Sequence, residues 1–148
     1  MTINDLIERL VTLVTSVVED LRMETADGSA ARAPVVIAGM VGPPRSATEQ
    51  RPPFIVVRPM NGSDDQDDSR CTVQMILETH GEDATAVWDQ CVLIQRLRAA
   101  LTANRTQGPF HMDLPLTWTI FENQPQPIWA ASITTTWIIP QAEWLEQD

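Results

Sequence analysis

Residues 110–121 read FHMDLPLTWTIF, with an apolar side chain at every second position from Phe110 onward. Alternation with a period of two is typical of a β-strand that presents one face to a hydrophobic core. Pro115 lacks a backbone N–H group, so this strand is predicted to lie at a sheet edge or to contain a bulge there. The residues expected on the core face are Phe110, Met112, Leu114, Leu116, Trp118 and Ile120.

A second long strand is predicted over residues 128–139, which read IWAASITTTWII. Its apolar side chains also alternate, and the turn segment ENQPQP at residues 122–127 separates it from the first strand. We expect the rings of Trp118, Trp129 and Trp137 to pack into one core. The full set expected on the core face of this second strand is Trp129, Ala131, Ile133, Thr135, Trp137 and Ile139.

Three further strands are predicted upstream. Residues 34–41 form a β-branched run, residues 54–58 form a second run that stops at a proline, and residues 71–80 alternate regularly. The acidic turn at residues 61–69 predicts that the last two strands pair as a hairpin. Four prolines within residues 42–53 predict an extended loop after the first of these strands.

Two segments are predicted to form helices that pack on the sheet. Residues 3–21 carry apolar side chains at helical spacing, with Thr2 or Asn4 as the expected N-cap. A second helix opens at Gly81-Glu82-Asp83, where Asp83 is the expected N-cap. Its expected buried side is Val87, Trp88, Cys91, Ile94, Leu97 and Leu101, with Arg98 inside that stripe and its guanidinium reaching solvent or a carboxylate.

The order of elements is therefore α-β-β-β-α-β-β. This order predicts an α+β fold in which two helices pack on one mostly antiparallel five-stranded sheet. The chain has 148 residues, and a domain spans about 100–200 residues, so we expect a single domain over residues 1–140 with a short tail at 141–148.

Composition excludes several classes of function. The net charge is −10, so general binding to nucleic-acid phosphates is disfavoured. Cys71 and Cys91 form no zinc pattern with His80 and His111, and both thiols are expected to be buried. The acidic N-terminal segment does not resemble a secretory signal, and no apolar run is long enough to predict a membrane span.

Catalytic patterns are equally scarce, and we expect no enzyme activity, no cofactor and no bound metal. Ser63 and Ser69 lie in a predicted turn without a neighbouring base, so no nucleophile triad is indicated. His111 and Asp113 share one face of a predicted strand and could form an acid and base pair. A solvated strand face is the simpler interpretation of these two residues.

Four carboxylates within five residues form the strongest charge cluster, which comprises Asp64, Asp65, Asp67 and Asp68. Hard cations such as calcium and magnesium bind oxygen ligands of this kind, but the spacing does not match an EF-hand. Three interpretations stay open: a solvated hairpin tip, a surface that repels DNA, and a metal site.

Candidate subunit contacts follow from apolar residues outside the predicted core faces. Val11 and Leu13 widen the apolar stripe of the first helix, which indicates either a broad core face or a contact with another subunit. Trp144 and Leu145 form an apolar pair in the otherwise polar tail, which either docks on a neighbour or folds back.

The layout of the whole chain resembles the tail terminator, or tail completion, proteins of long-tailed bacteriophages. The resemblance rests on the N-terminal helix, PPFIVVRP at 52–59, VQMILETH at 73–80, and GED before a helix that ends in LRAAL at 97–101. It continues through two long closing strands with QPQPIW at 124–129. The proline-rich loop from Pro43 to Pro53 has no counterpart in that pattern.

The resemblance implies a structural virion protein that caps the tail tube, ends its polymerisation and offers a surface for head-tail joining. Its partners would be copies of itself in a ring, a hexamer by resemblance, together with the tail tube protein and the neck connector. DNA would pass through the ring, and the acidic loop would repel it. The protein would assemble in the host cytoplasm and reside in the virion tail.

Within such a ring, the expected subunit contacts include Pro43 and Pro44 as well as the four apolar residues named above. Two alternatives remain: another neck or tail structural protein, such as a head-completion or tube-like subunit, and a small metal-dependent hydrolase that uses the Asp cluster.

Overall fold

The computed structural model describes residues 2–26, 28–39, 52–82, 86–122, 124 and 127–142. Within these residues it contains two helices and one mixed six-stranded sheet. The helices are α1 (Ile3–Val18) and α2 (Ala86–Ala103). The strands are β1 (Val35–Ala38), β2 (Phe54–Asp64), β3 (Ser69–His80), β4 (Thr106–Gln107), β5 (Phe110–Ile120) and β6 (Ile128–Ile139).

The strands follow the order β1-β2-β3-β6-β5-β4 across the sheet. The α+β class is confirmed, but the predicted five-stranded sheet is wrong in detail. β4 is a sixth strand of two residues, which is too short to show any alternation in the sequence. β1 runs parallel to β2, whereas every other described pair of strands is antiparallel.

The β2–β3 hairpin is longer than predicted. Pro59 does not end β2, which continues to Asp64. The pairing of β1 with β2 ends at Ala38 and Val57. Pro59 lies beyond this pairing, so its missing N–H group removes no hydrogen bond to β1. The register of β2 with β3 then shifts between Pro59 and Asn61. The turn therefore shortens to Asp65–Asp68, closed by a hydrogen bond from Asp65 N to Asp68 O of 2.8 Å.

Helix α1 begins where the sequence predicts and ends earlier. Thr2 is the N-cap and forms a capping box with Asp5, whose pKa is lowered by the backbone hydrogen bond from Thr2. The helix ends at Val18 rather than residue 21. Its buried side is Leu6, Ile7, Leu10, Val14 and Val18.

The hydrophobic core lies between the helices and one face of the sheet. β3 and β6 are paired along their full length, and their core residues face each other directly, as Met75 faces Ile133 and Cys71 faces Trp137. The Trp137 side chain is fully buried. Cys71 is buried as predicted, and this burial raises the pKa of its thiol.

The buried side of α2 differs from the predicted one. Trp88 is 66% exposed and the thiol of Cys91 is exposed, so both predictions are wrong. The reason is Gln90, whose amide nitrogen donates to Leu77 O, Thr79 Oγ1 and Trp129 O at 3.3, 3.1 and 2.5 Å. These bonds turn α2 so that its buried side is Ala86, Gln90, Leu93, Ile94, Leu97 and Leu101.

Helix α2 is also tied to α1. Arg96 Nη1 donates to Asp20 Oδ1 at 2.6 Å and to Val17 O at 3.3 Å. The hydrogen bond from Arg96 lowers the pKa of the Asp20 carboxyl. With this tie, α1 packs on β1 and β2, whereas α2 packs mainly on β3 and β6.

The predicted core face of β5 is therefore only half covered. Phe110 and Met112 are fully buried, but Trp118 is 47% exposed and Leu114 is 55% exposed. Trp118 pairs with the core residue Ile133 and so faces the helix side of the sheet. Because α2 lies over the two central strands, it leaves this half of β5 uncovered, and the expected burial of the Trp118 ring is wrong.

No helix in the described part of the chain has the length and apolarity that a membrane crossing requires.

Candidate assembly surface

A groove separates α2 from the uncovered half of β5. Its volume is about 440 Å³. Arg98 is the one charged residue among the described residues that line it, and its Nη1 donates to Gln95 Oε1 at 3.1 Å. The lining residues are Gln95, Arg98, Ala99, Thr102, Leu114, Pro115 and Leu116.

Apolar side chains extend this groove on both sides. Along β5, Trp118 lies next to the groove residues on the same face of the strand, and Leu116 and Ile120 pack partly against the core. Along α2, Trp88 and Val92 are exposed and fall on the ridge that continues to Gln95 and Ala99 at helical spacing. Exposed apolar patches of this kind mark sites of protein interaction. We call the groove, its β5 wall and this ridge the α2–β5 surface.

The outer edge of β5 borders the same surface. β4 pairs only with Phe110 and His111, and Arg105 hydrogen-bonds the backbone of Met112 through its own backbone oxygen and its Nε. In the described ranges, no strand pairs with β5 on this side beyond Met112. An open strand edge offers backbone donors and acceptors to an added strand. The register shift between Asp113 and Thr117 confirms the irregularity predicted at Pro115.

The acidic residues lie at the tip of the β2–β3 hairpin, as the sequence predicts. Asp64, Asp65 and Asp67 are exposed, whereas Asp68 is half-buried. Asp68 Oδ2 lies 3.2 Å from Arg70 Nη2, and the other terminal nitrogen of Arg70 binds Asp113. These two carboxylates raise the pKa of the Arg70 guanidinium, with the Asp113 hydrogen bond as the larger cause.

The two residues that could have formed a catalytic pair, His111 and Asp113, bond to other side chains. Asp113 bonds to Arg70 on the helix-free face, and His111 Nδ1 lies 3.2 Å from Thr106 Oγ1. His111 and Asp113 therefore each have a different partner. Over the residues that the structure describes, no three His, Cys, Asp or Glu side chains are close enough together to hold a metal ion.

The predicted contact residues divide into two groups. Val11 and Leu13 are partly buried and pack against the core. Of the two interpretations, a broad core face or a subunit contact, this packing agrees with the broad core face. Leu13 also lines a mainly polar groove between α1 and the β4 segment, together with Asn104 and Gln107. Pro43, Pro44, Trp144 and Leu145 lie outside the described residues.

The α2–β5 surface itself was missed from the sequence, although two signals pointed to it. Pro115 predicted an edge strand or a bulge, and an edge strand beside a layer of two helices need not be covered. Trp88 lies opposite Leu97 on α2, and Val92 was outside the predicted buried side of the helix.

No protein-family model matches the chain, and no curated protein matches it.

Proposed function

We propose that this chain is a structural protein of a long-tailed bacteriophage that forms a ring on the end of the tail tube. In this role it ends tube polymerisation and offers a surface for head-tail joining, as do the tail terminator proteins that its sequence resembles. The observation that carries the proposal is the α2–β5 surface, where Trp118, on the helix side of the sheet, and Leu114, in the groove wall beside α2, stay about half exposed.

A ring subunit must bury one surface against each neighbour. When the two contact surfaces of a subunit differ, the contact repeats head to tail, and the assembly closes if the rotation allows. The α2–β5 surface supplies one such contact, since it combines exposed apolar side chains, a groove and an open strand edge at a single margin of the sheet. A chain that stays a monomer gains nothing from leaving these groups exposed.

The charge distribution fits a ring through which DNA passes. The net charge of the chain is −10, and Asp64, Asp65 and Asp67 are exposed together at one hairpin tip. Clustered carboxylates repel DNA phosphates and so reduce adhesive contacts during genome transit. Asp68 adds less to this repulsion because Arg70 neutralises part of its charge.

The proposal is tested by growing tubes from the tail tube protein of the same phage with and without this protein, and by measuring tube lengths in electron micrographs. We expect short tubes, each with extra ring density at one end. Unchanged tube lengths with bare ends would contradict a capping role. Long tubes formed by this protein alone would instead identify it as a tube-like subunit. In that alternative, the same apolar surface would form the contact between successive subunits of the tube.

A further inference from the structure

The α2–β5 surface is not covered by any described part of its own chain. The last described residues, which include Gln141, also lead away from it. Gln141 Nε2 donates to the backbone oxygens of Asp65 and Gln66, both at 3.2 Å. These oxygens belong to the β2–β3 turn, and the sheet order places β3 and β5 on opposite sides of β6. Gln141 is therefore held toward β3, on the side away from its own groove.

Six residues follow the described chain. They read Glu143-Trp144-Leu145-Glu146-Gln147-Asp148, an apolar pair among three carboxylates. Fully extended, six residues reach about 20 Å. The segment can therefore reach a groove on a neighbouring subunit that lies within about 20 Å of Ala142. Trp144 and Leu145 supply apolar side chains that could anchor it there.

The chemistry of the groove complements this segment. Its β5 wall presents Leu114 and Leu116, and Trp118 extends the same apolar face. Arg98 is exposed at the helix wall, where it hydrogen-bonds Gln95. Apolar contacts at Trp144 and Leu145 would supply most of the affinity, whereas the attraction between Arg98 and the flanking carboxylates would fix the orientation.

We propose that the segment Glu143–Asp148 of one copy binds the α2–β5 groove of a second copy. This inference rests on the proposed ring function and names the contact that would hold the ring together. Each copy donates one segment and accepts one at a different surface, so the contact is head to tail and can close into a ring. The open edge of β5 supplies backbone hydrogen-bonding groups alongside the groove.

The direct test uses a fluorescein-labelled peptide of residues 141–148, added to a protein that ends at Ala142. Fluorescence anisotropy should show saturable binding, weakened about tenfold or more by Arg98→Glu. A peptide with Glu143→Arg and Glu146→Arg should recover binding to the Arg98→Glu protein. Trp144→Ala in the peptide should abolish binding without any effect on protein folding. Met60→Arg, on a distant exposed side chain of β2, is the control and should leave binding unchanged.

A mixing experiment separates binding between copies from folding back within one copy. The protein ending at Ala142 keeps a groove but has no segment, and the Arg98→Glu protein keeps a segment but has a damaged groove. Sedimentation velocity of each alone should show monomers, the mixture should show a one-to-one pair, and the wild-type protein should show closed oligomers. A mixture that stays monomeric would overturn the proposal. A wild-type protein that is a monomer although the mixture pairs would also overturn it, because the segment would then bind its own groove.

The results also distinguish this contact from the ring function. Absence of peptide binding, together with normal rings from the protein ending at Ala142, would overturn the segment contact and leave the ring proposal intact. If Trp118→Arg then converted those rings to monomers, the α2–β5 surface would bind a different surface of the second copy and not its C-terminal segment. Peptide binding and paired mixtures without any effect on tube growth would support the contact and overturn the capping role.

Discussion

β6 and β5 are neighbouring strands of nearly equal length with the same alternating pattern, yet they are buried very differently. On β6, every second residue from Trp129 to Trp137 is buried. On β5, burial on the same face ends after Met112. β6 lies between two strands and beneath α2, whereas most of β5 has a strand on one side only among the described residues. Alternation therefore indicates which side chains share a face, and neighbouring elements determine whether that face is covered.

The position of α2 accounts for the difference. Gln90 binds carbonyl and hydroxyl groups of β3 and β6, and Arg96 binds the end of α1. These two polar contacts hold the helix over the central strands. A shift of α2 toward β5 would break the hydrogen bonds that the buried amide nitrogen of Gln90 donates, and an unpaired buried donor is costly.

The largest expected effect compares one tryptophan from each strand. Trp137→Ala should destabilise the protein by about 3–5 kcal/mol, because it removes a fully buried ring that also donates a hydrogen bond to Thr135. Trp118→Ala should cost less than about 1 kcal/mol, because half of its ring is already in water. Urea denaturation measures both losses when the two substitutions are made in the protein that ends at Ala142, which is expected to be a monomer. Similar losses from the two variants would show that β5 is as well covered as β6.

A smaller effect concerns the helix-free face of the central strands. Glu78 lies on β3 between Phe54 and Ala130, and burial raises the pKa of its carboxyl above the ordinary 4.5. The folded chain therefore binds this proton more tightly than the unfolded chain does. The protonated carboxyl contributes its full stability below the pKa that Glu78 has in the unfolded chain. This contribution is lost as the pH rises through the higher pKa that Glu78 has in the folded chain.

Glu78→Gln should accordingly raise the stability at about pH 7 and lose this advantage at about pH 3.5, where the native carboxyl is protonated. Urea melts at the two pH values give the comparison. Glu82→Gln, on an exposed side chain, is the control for removing one negative charge. An equal gain at both pH values would mean that ionisation of Glu78 is not the cause.

Much of the fold could be predicted from the sequence where the local pattern decides the outcome. The bounds of β6 are the predicted ones, β3 forms the predicted hairpin with β2, and the irregularity of β5 lies at Pro115. In each case, side-chain alternation or the missing N–H of a proline is a property of the segment itself.

The candidate site could not be predicted in the same way, because it depends on distant partners. The rotation of α2 depends on acceptors that β3 and β6 present to Gln90, and a glutamine in a helix gives no sign of them. The exposure of Trp118 depends in turn on where α2 lies. The parallel pairing of β1 with β2 and the short β4 likewise depend on the assembled sheet.

The central claim is that the uncovered half of β5 is where copies of this chain meet. Mass photometry across concentration, with and without tail tube ends, should compare the wild-type protein with Trp118→Arg and Met60→Arg. Trp118 and Met60 are equally exposed, at 47% each, but Met60 lies on β2 far along the sheet. We predict a closed oligomer for the wild type and for Met60→Arg, and a monomer for Trp118→Arg. Assembly of Trp118→Arg into the same oligomer as the wild type would contradict the claim.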